Sequence, residues 1–108
     1  MLSVILPIYN EQDGLNAFTQ ELVGVLQQHS VAYELIFVND GSTDNSLSAI
    51  KGICAASPHA KYINLSRNFG HQVAVSAGID YAKGDEVLLM DSDGQDPPEV
   101  VPALLKQM

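Results

Sequence analysis

Two aspartates one residue apart, Asp91 and Asp93, follow the mostly apolar run from Glu86 to Met90. Carboxylates are hard oxygen ligands, and a pair of them where a strand stops can hold a divalent cation against a diphosphate. Along an extended strand, alternate side chains share a face only while the strand lasts. If the chain turns at Ser92, one carboxylate can bind the cation directly and the other directly or through water. Gln95 can add a neutral oxygen ligand, and Asp96-Pro97-Pro98 closes the segment. The plainer alternative is a solvated turn, which also favours Asp, Ser and Gly.

Three further clusters sit at the ends of apolar runs. Pro7 and Tyr9 can wall a planar base, and Glu11 can accept a hydrogen bond from base or ribose; equally, Tyr9 can be a last strand residue and Glu11 an acidic group near a helix start. Asp40 can accept the ring N–H of a uracil or guanine, with Asn39 beside it donating to a carbonyl, or it can simply begin a helix. Arg67 is the only arginine. It can meet a phosphate or a site carboxylate with its planar fork, or tie the acidic loop down by an ordinary ion pair. His71 stands alone at a helix start and is left out of the metal set, as a cap or surface group.

These clusters need a scaffold that brings strand ends together. Leu2 to Tyr9 reads as a buried strand, and Leu15, Phe18, Leu22, Val25 and Leu26 recur at helical spacing within a helix from about Asp13 to His29. Tyr33 to Asn39 is a second strand. A second helix capped by Ser42 or Thr43 runs through Ala56, with Leu47, Ile50 and Cys54 as its inner stripe. Lys61 to Leu65 is a third strand, and about His71 to Ala82 a third helix whose Ala74, Ala77 and Gly78 allow close approach to a sheet. Glu86 to Met90 is the fourth strand, with Pro97 and Pro98 suited to the first turn of a last helix. The alternation implies an α/β fold, a doubly wound and mostly parallel sheet with helices on both faces. Ligands in such sheets lie beyond the carboxyl ends of the strands, where the winding reverses. All four polar clusters lie at such ends.

Composition narrows the partners. The chain has 108 residues, enough for one core. Its formal net charge of −8, with five scattered basic residues, argues against nucleic acid. An acidic protein that holds an anionic nucleotide needs a cation between them, which the aspartates can supply. The single cysteine, Cys54, reads as a small inward side chain. No run of about eighteen apolar residues is present to span a bilayer, and the start lacks a secretory pattern, so a cytoplasmic location is expected. No dinucleotide glycine fingerprint, phosphate loop or nucleophile elbow occurs.

The segments Leu6-Pro7-Ile8-Tyr9-Asn10-Glu11, Val38-Asn39-Asp40-Gly41-Ser42-Thr43-Asp44, Asn64-Leu65-Ser66-Arg67-Asn68-Phe69-Gly70 and Asp91-Ser92-Asp93-Gly94-Gln95-Asp96-Pro97-Pro98-Glu99 together resemble family 2 glycosyltransferases, in order and in spacing. The last two look most like the polyprenyl-phosphate branch, which includes dolichol-phosphate mannose synthase and bactoprenol glucosyltransferases. The resemblance implies a GT-A fold, a UDP- or GDP-linked sugar donor, Mg²⁺ or Mn²⁺, and inverting displacement at the anomeric carbon. It places Pro7, Tyr9, Glu11 and Asp40 at nucleoside positions, with Asp91 and Ser92 beside them. Asp91, Asp93 and Gln95 fall at the metal and diphosphate positions, the two aspartates also being the candidate catalytic residues. His71 stands where many members of the branch have another residue.

The branch further implies a polyprenyl-phosphate acceptor and a full-length protein at the cytoplasmic face of the membrane, with residues 1–108 as its nucleotide-sugar-binding half. Two other readings stand beside transfer: a nucleotide-binding fragment without turnover, and a receiver-like Mg²⁺-binding signalling domain. The last needs an Asp at the end of the third strand, where this chain has Leu65-Ser66-Arg67. An apolar face left uncovered would favour a homo-oligomer.

Overall fold

The computed structural model describes residues 1–90. Its elements run β1 (Leu2–Ile8), α1 (Leu15–Gln28), β2 (Tyr33–Asn39), α2 (Ser46–Ala56), β3 (Ala60–Asn64), α3 (His71–Tyr81) and β4 (Glu86–Leu89). The expected last helix from Pro97 lies outside the described residues. The four strands form one parallel sheet in the order β3-β2-β1-β4, so winding runs outward from β1 through β3 and then reverses to place β4 on the other side of β1.

Side-chain alternation explains why β1 and β2 are buried on both faces. Val4, Leu6, Ile8, Leu35 and Phe37 join Leu15, Phe18, Leu22 and Leu26 of α1 and Ile50 of α2 in one core. Ile5, Ile36 and Val38 point the other way, against Ala74 of α3. α3 presses close because Gly78 has no Cβ, and one there would overlap the Ile5 side chain. On the same side as Ile5, the edge residues Val87 and Leu89 stay exposed.

The opposite, amino-terminal end of the sheet is closed by a buried polar knot. Ser3 donates its hydroxyl to Glu34 and accepts from the Gly84 N–H at 2.8 Å. The Lys83 N–H donates to Glu34 Oε2 at 2.7 Å, and Lys61 Nζ lies 2.9 Å from Oε1. Burial pushes the Glu34 carboxyl up, but the hydrogen bonds from Ser3, Lys83 and Lys61 outweigh it and hold the group at about 2. This knot anchors the α3–β4 turn under β1 and β2. Burial also pushes the Cys54 thiol up, which suits an inward small side chain better than a reactive thiolate.

Helix starts differ from the sequence expectation at one place. α2 begins at Ser46 with Asn45 before it, so neither Ser42 nor Thr43 caps it. Those residues belong instead to a longer turn that engages the segment after β1.

Candidate functional site

At the carboxyl ends of the strands, a cavity of about 350 Å³ is lined by Pro7, Tyr9 and Glu11 after β1, Asp40 after β2, and Asn68, Gly70 and His71 after β3. Parallel strands deliver their following loops to one rim, and β1 stands at the winding reversal. A larger groove of about 440 Å³ runs between α1 and α2, with Thr19, Val23 and Ile53 among its walls. It contains no ionisable side chain, and none of the residues that follow the strands lines it. The smaller cavity is therefore the candidate site.

Asn10 holds the first loop to the second. It adopts a φ of 53°, a left-handed conformation that asparagine tolerates better than most residues. Its side-chain oxygen accepts from the Thr43 N–H at 2.8 Å and the Asp44 N–H at 3.3 Å, while its own N–H donates to Ser42 Oγ at 3.0 Å. Beside it, Glu11 N–H donates to Ser46 Oγ at 2.9 Å, and Gln12 exchanges bonds with Asp44 and Asn45. Desolvation raises the Asp44 pKa, yet donors from Ser46 and the Gln12 N–H bring it below the ordinary carboxylate range. Tyr9 and Glu11 are thereby fixed on either side of Asn10. Asn10→Ala is expected to cost about 2 kcal/mol, by backbone strain plus lost hydrogen bonds, and Asn10→Gly less, because glycine keeps the left-handed backbone without strain. Urea denaturation of the two variants checks the order.

Asp40 is 5% exposed at the cavity wall. It does not begin α2. Its Oδ1 accepts from the Phe69 N–H at 2.8 Å and its Oδ2 from the Gly70 N–H at 3.1 Å. Asn39 is also turned inward: Nδ2 donates to Asn64 Oδ1 at 2.9 Å, and Oδ1 accepts from the Ser42 N–H at 3.4 Å. Arg67 lies with its guanidinium carbon 4.7 Å from the centre of the Phe69 ring, so among the described residues its neighbour is an aromatic face.

Sequence reading thus brought Pro7, Tyr9, Glu11 and Asp40 to one place, and the structure joins them there. It missed Asn68 and His71 as wall residues. Their signal was present in the polar cluster that opens the third helix, but a lone histidine without a second one nearby pointed elsewhere. Asp91, Ser92, Asp93 and Gln95 lie outside the described residues. Among the described residues, no three His, Cys, Asp or Glu side chains cluster as metal ligands. Met90 N–H still donates to Ile5 O at 3.1 Å, so the chain runs beside β1 up to the last described residue. Also among the described residues, no helix is long and apolar enough to cross a membrane.

The sequence profile of glycosyl transferase family 2 matches residues 3–108. The chain belongs to that family. A glycosyltransferase of Synechocystis, sll0501, is 45% identical over 104 residues, covering 96% of this chain and 33% of the relative. The undecaprenyl-phosphate 4-deoxy-4-formamido-L-arabinose transferase of Sodalis glossinidius is 36% identical over 106 residues, covering 97% and 32%. In three dimensions, the Mycobacterium tuberculosis glucosyl-3-phosphoglycerate synthase solved with UDP matches with a TM-score of 0.72 at 26% identity, covering 97% of this chain and 38% of the other. The fold of this family 2 glycosyltransferase chain is accordingly GT-A, and the chain spans about a third of the length of these relatives. The receiver-like reading falls with that membership.

Proposed function

We propose that residues 1–108 form the nucleotide-sugar-binding part of a glycosyltransferase that moves a sugar from a UDP- or GDP-linked donor to a polyprenyl phosphate. The observation that carries this is the meeting of three strand-end loops of a family 2 chain around one cavity that holds Pro7, Tyr9, Glu11 and Asp40. The Sodalis relative's undecaprenyl-phosphate name and the UDP of the mycobacterial structure supply the acceptor and donor classes.

In this reading Pro7 and Tyr9 flank the base, Glu11 accepts from base or ribose, and Asp40 offers its remaining lone pairs to a ring N–H. Arg67 faces phosphate from the rim. Asp91 and Asp93 with Gln95 make a donor set of hard oxygens suited to Mg²⁺ or Mn²⁺, and Ser92 stands between the two ligands. Bound there, the cation would stabilise charge on the departing diphosphate. A lipid phosphate attacks through an oxygen that is already anionic, so this chain need supply no general base. The full-length enzyme works at the cytoplasmic face of the membrane, where a long-chain lipid phosphate and a soluble nucleotide sugar can meet.

Calorimetry with UDP- and GDP-sugars, with and without Mn²⁺, tests the reading. Binding should require the metal, and Asp93→Ala should weaken it at least about tenfold, since even indirect partners of a metal cost that much. Metal-independent or absent binding would count against it. A second reading, binding without turnover, follows from the chain's covering a third of its relatives' length. Comparing product formed by this chain and by a longer one separates the two.

A further inference from the structure

Six residues, Leu65 to Gly70, connect β3 to α3, and four of them are exposed. Little packing holds such a segment. Its fixed points are polar: Leu65 N–H donates to Asn39 O at 3.0 Å, and the successive N–H groups of Phe69 and Gly70 each reach a different oxygen of Asp40. Gly70 precedes α3 with a φ of 100°, and no side chain of its own segment caps the helix. The carboxylate that serves this helix start comes from the end of β2, 30 residues earlier in the chain. Gly41 completes the seat, since a Cβ there would overlap the backbone of Arg67 and Asn68.

We propose that Asp40, besides the lone pairs it offers a base, has a positioning role: its carboxylate latches the Ser66–Gly70 segment onto the end of β2 and so sets where Asn68 and His71 stand in the cavity. A carboxylate has only acceptors, two oxygens that match two neighbouring N–H donors, and its charge suits the positive end of α3. Asparagine fits the seat less well: in the same rotamer its one oxygen keeps one N–H, and the amide nitrogen faces the other donor to donor. The latch deepens the nucleotide reading and rests on it only for what fills the cavity.

Amide hydrogen exchange by NMR on the 108-residue chain tests the latch without any ligand. In the unmodified protein the Phe69 and Gly70 amides should be protected, with proton resonances shifted downfield as charge-assisted bonds require. In Asp40→Asn at least one of the two should exchange about tenfold faster and move upfield, while β1 and β2 amides keep their protection. Free exchange of both amides in the unmodified protein would overturn the latch, and this holds even if the variant fails to fold. Unchanged amides in a folded Asp40→Asn would overturn it as well.

The second arm is UDP affinity with Mn²⁺ across Asp40→Asn, His71→Ala and the pair. Positioning predicts that the losses fail to add, His71→Ala costing less once the latch is broken. Strict additivity would refute the positioning role even with responsive amides. Failure of the unmodified chain to bind UDP would sink the nucleotide reading, and the amide arm would still decide the latch.

Discussion

Gly41→Ala is expected to destabilise the protein by about 2–4 kcal/mol and to remove the Asn68–His71 wall of the cavity. Two costs act at one position. Gly41 has a φ of 70°, where a Cβ carries strain of about 1–2 kcal/mol. The Cβ would also occupy space already filled by Asn68 N and the Arg67 backbone, which are main-chain atoms that no rotamer change can move. Gly52→Ala is the control of opposite sign. Gly52 lies inside α2, with nothing within 4 Å of the Cβ it would gain, so alanine should stabilise by about 0.5–1 kcal/mol through helix propensity. Urea unfolding of both variants measures the difference. Equal effects would show that the loop does not press on Gly41.

The second large effect concerns Glu34. Its folded pKa of about 2 lies below the ordinary 4.5, so the unfolded chain binds the proton more readily than the folded one. The stabilisation is therefore fully present above about pH 4.5 and is lost as pH falls toward 2. At neutral pH it is worth about 2–3 kcal/mol, the roughly 3.5 implied by about 1.4 kcal/mol for each pKa unit being reduced by solvent screening at the partly exposed Lys61. Glu34→Gln should remove this acid-dependent portion, so that the stability gap between the two proteins narrows from pH 5 to pH 2. Glu34→Ala should cost more at neutral pH, about 3 kcal/mol, because the Lys83 N–H, the Ser3 hydroxyl and the Lys61 ammonium all lose their acceptor. A constant gap across the acid range would show that Glu34 is not held in its charged form.

Much of the fold was legible from residue order. Nearly continuous apolar runs at Leu2–Ile8 and Tyr33–Asn39 marked strands buried on both faces, and helical spacing from Leu15 to Leu26 marked the helix between them. Strand alternation with helices implied parallel pairing, and parallel pairing placed Pro7, Tyr9, Glu11 and Asp40 at one rim. The start of α2 was misread because Ser42 and Thr43 are good caps in isolation. Here Ser42 Oγ accepts from Asn10 and the Thr43 N–H donates to it, so a contact between segments more than thirty residues apart took precedence over local capping. The buried knot of Ser3, Glu34 and Lys61 was equally hidden, since an acidic residue within an apolar strand shows its partners only after the chain has folded.

Residue types and their spacing alone determined the parallel α/β class and the polar segments at strand ends, through periodicities of two and 3.6 residues, while four ordered motifs carried the resemblance to the family. The inner use of the polar groups was decided only in three dimensions. Asp40 spends a lone pair of each oxygen on the β3–α3 segment, Asn39 bridges to Asn64, and Arg67 lies over Phe69. Hydrogen bonds are short-ranged and directional, so a side chain's partner depends on distances that sequence separation does not encode.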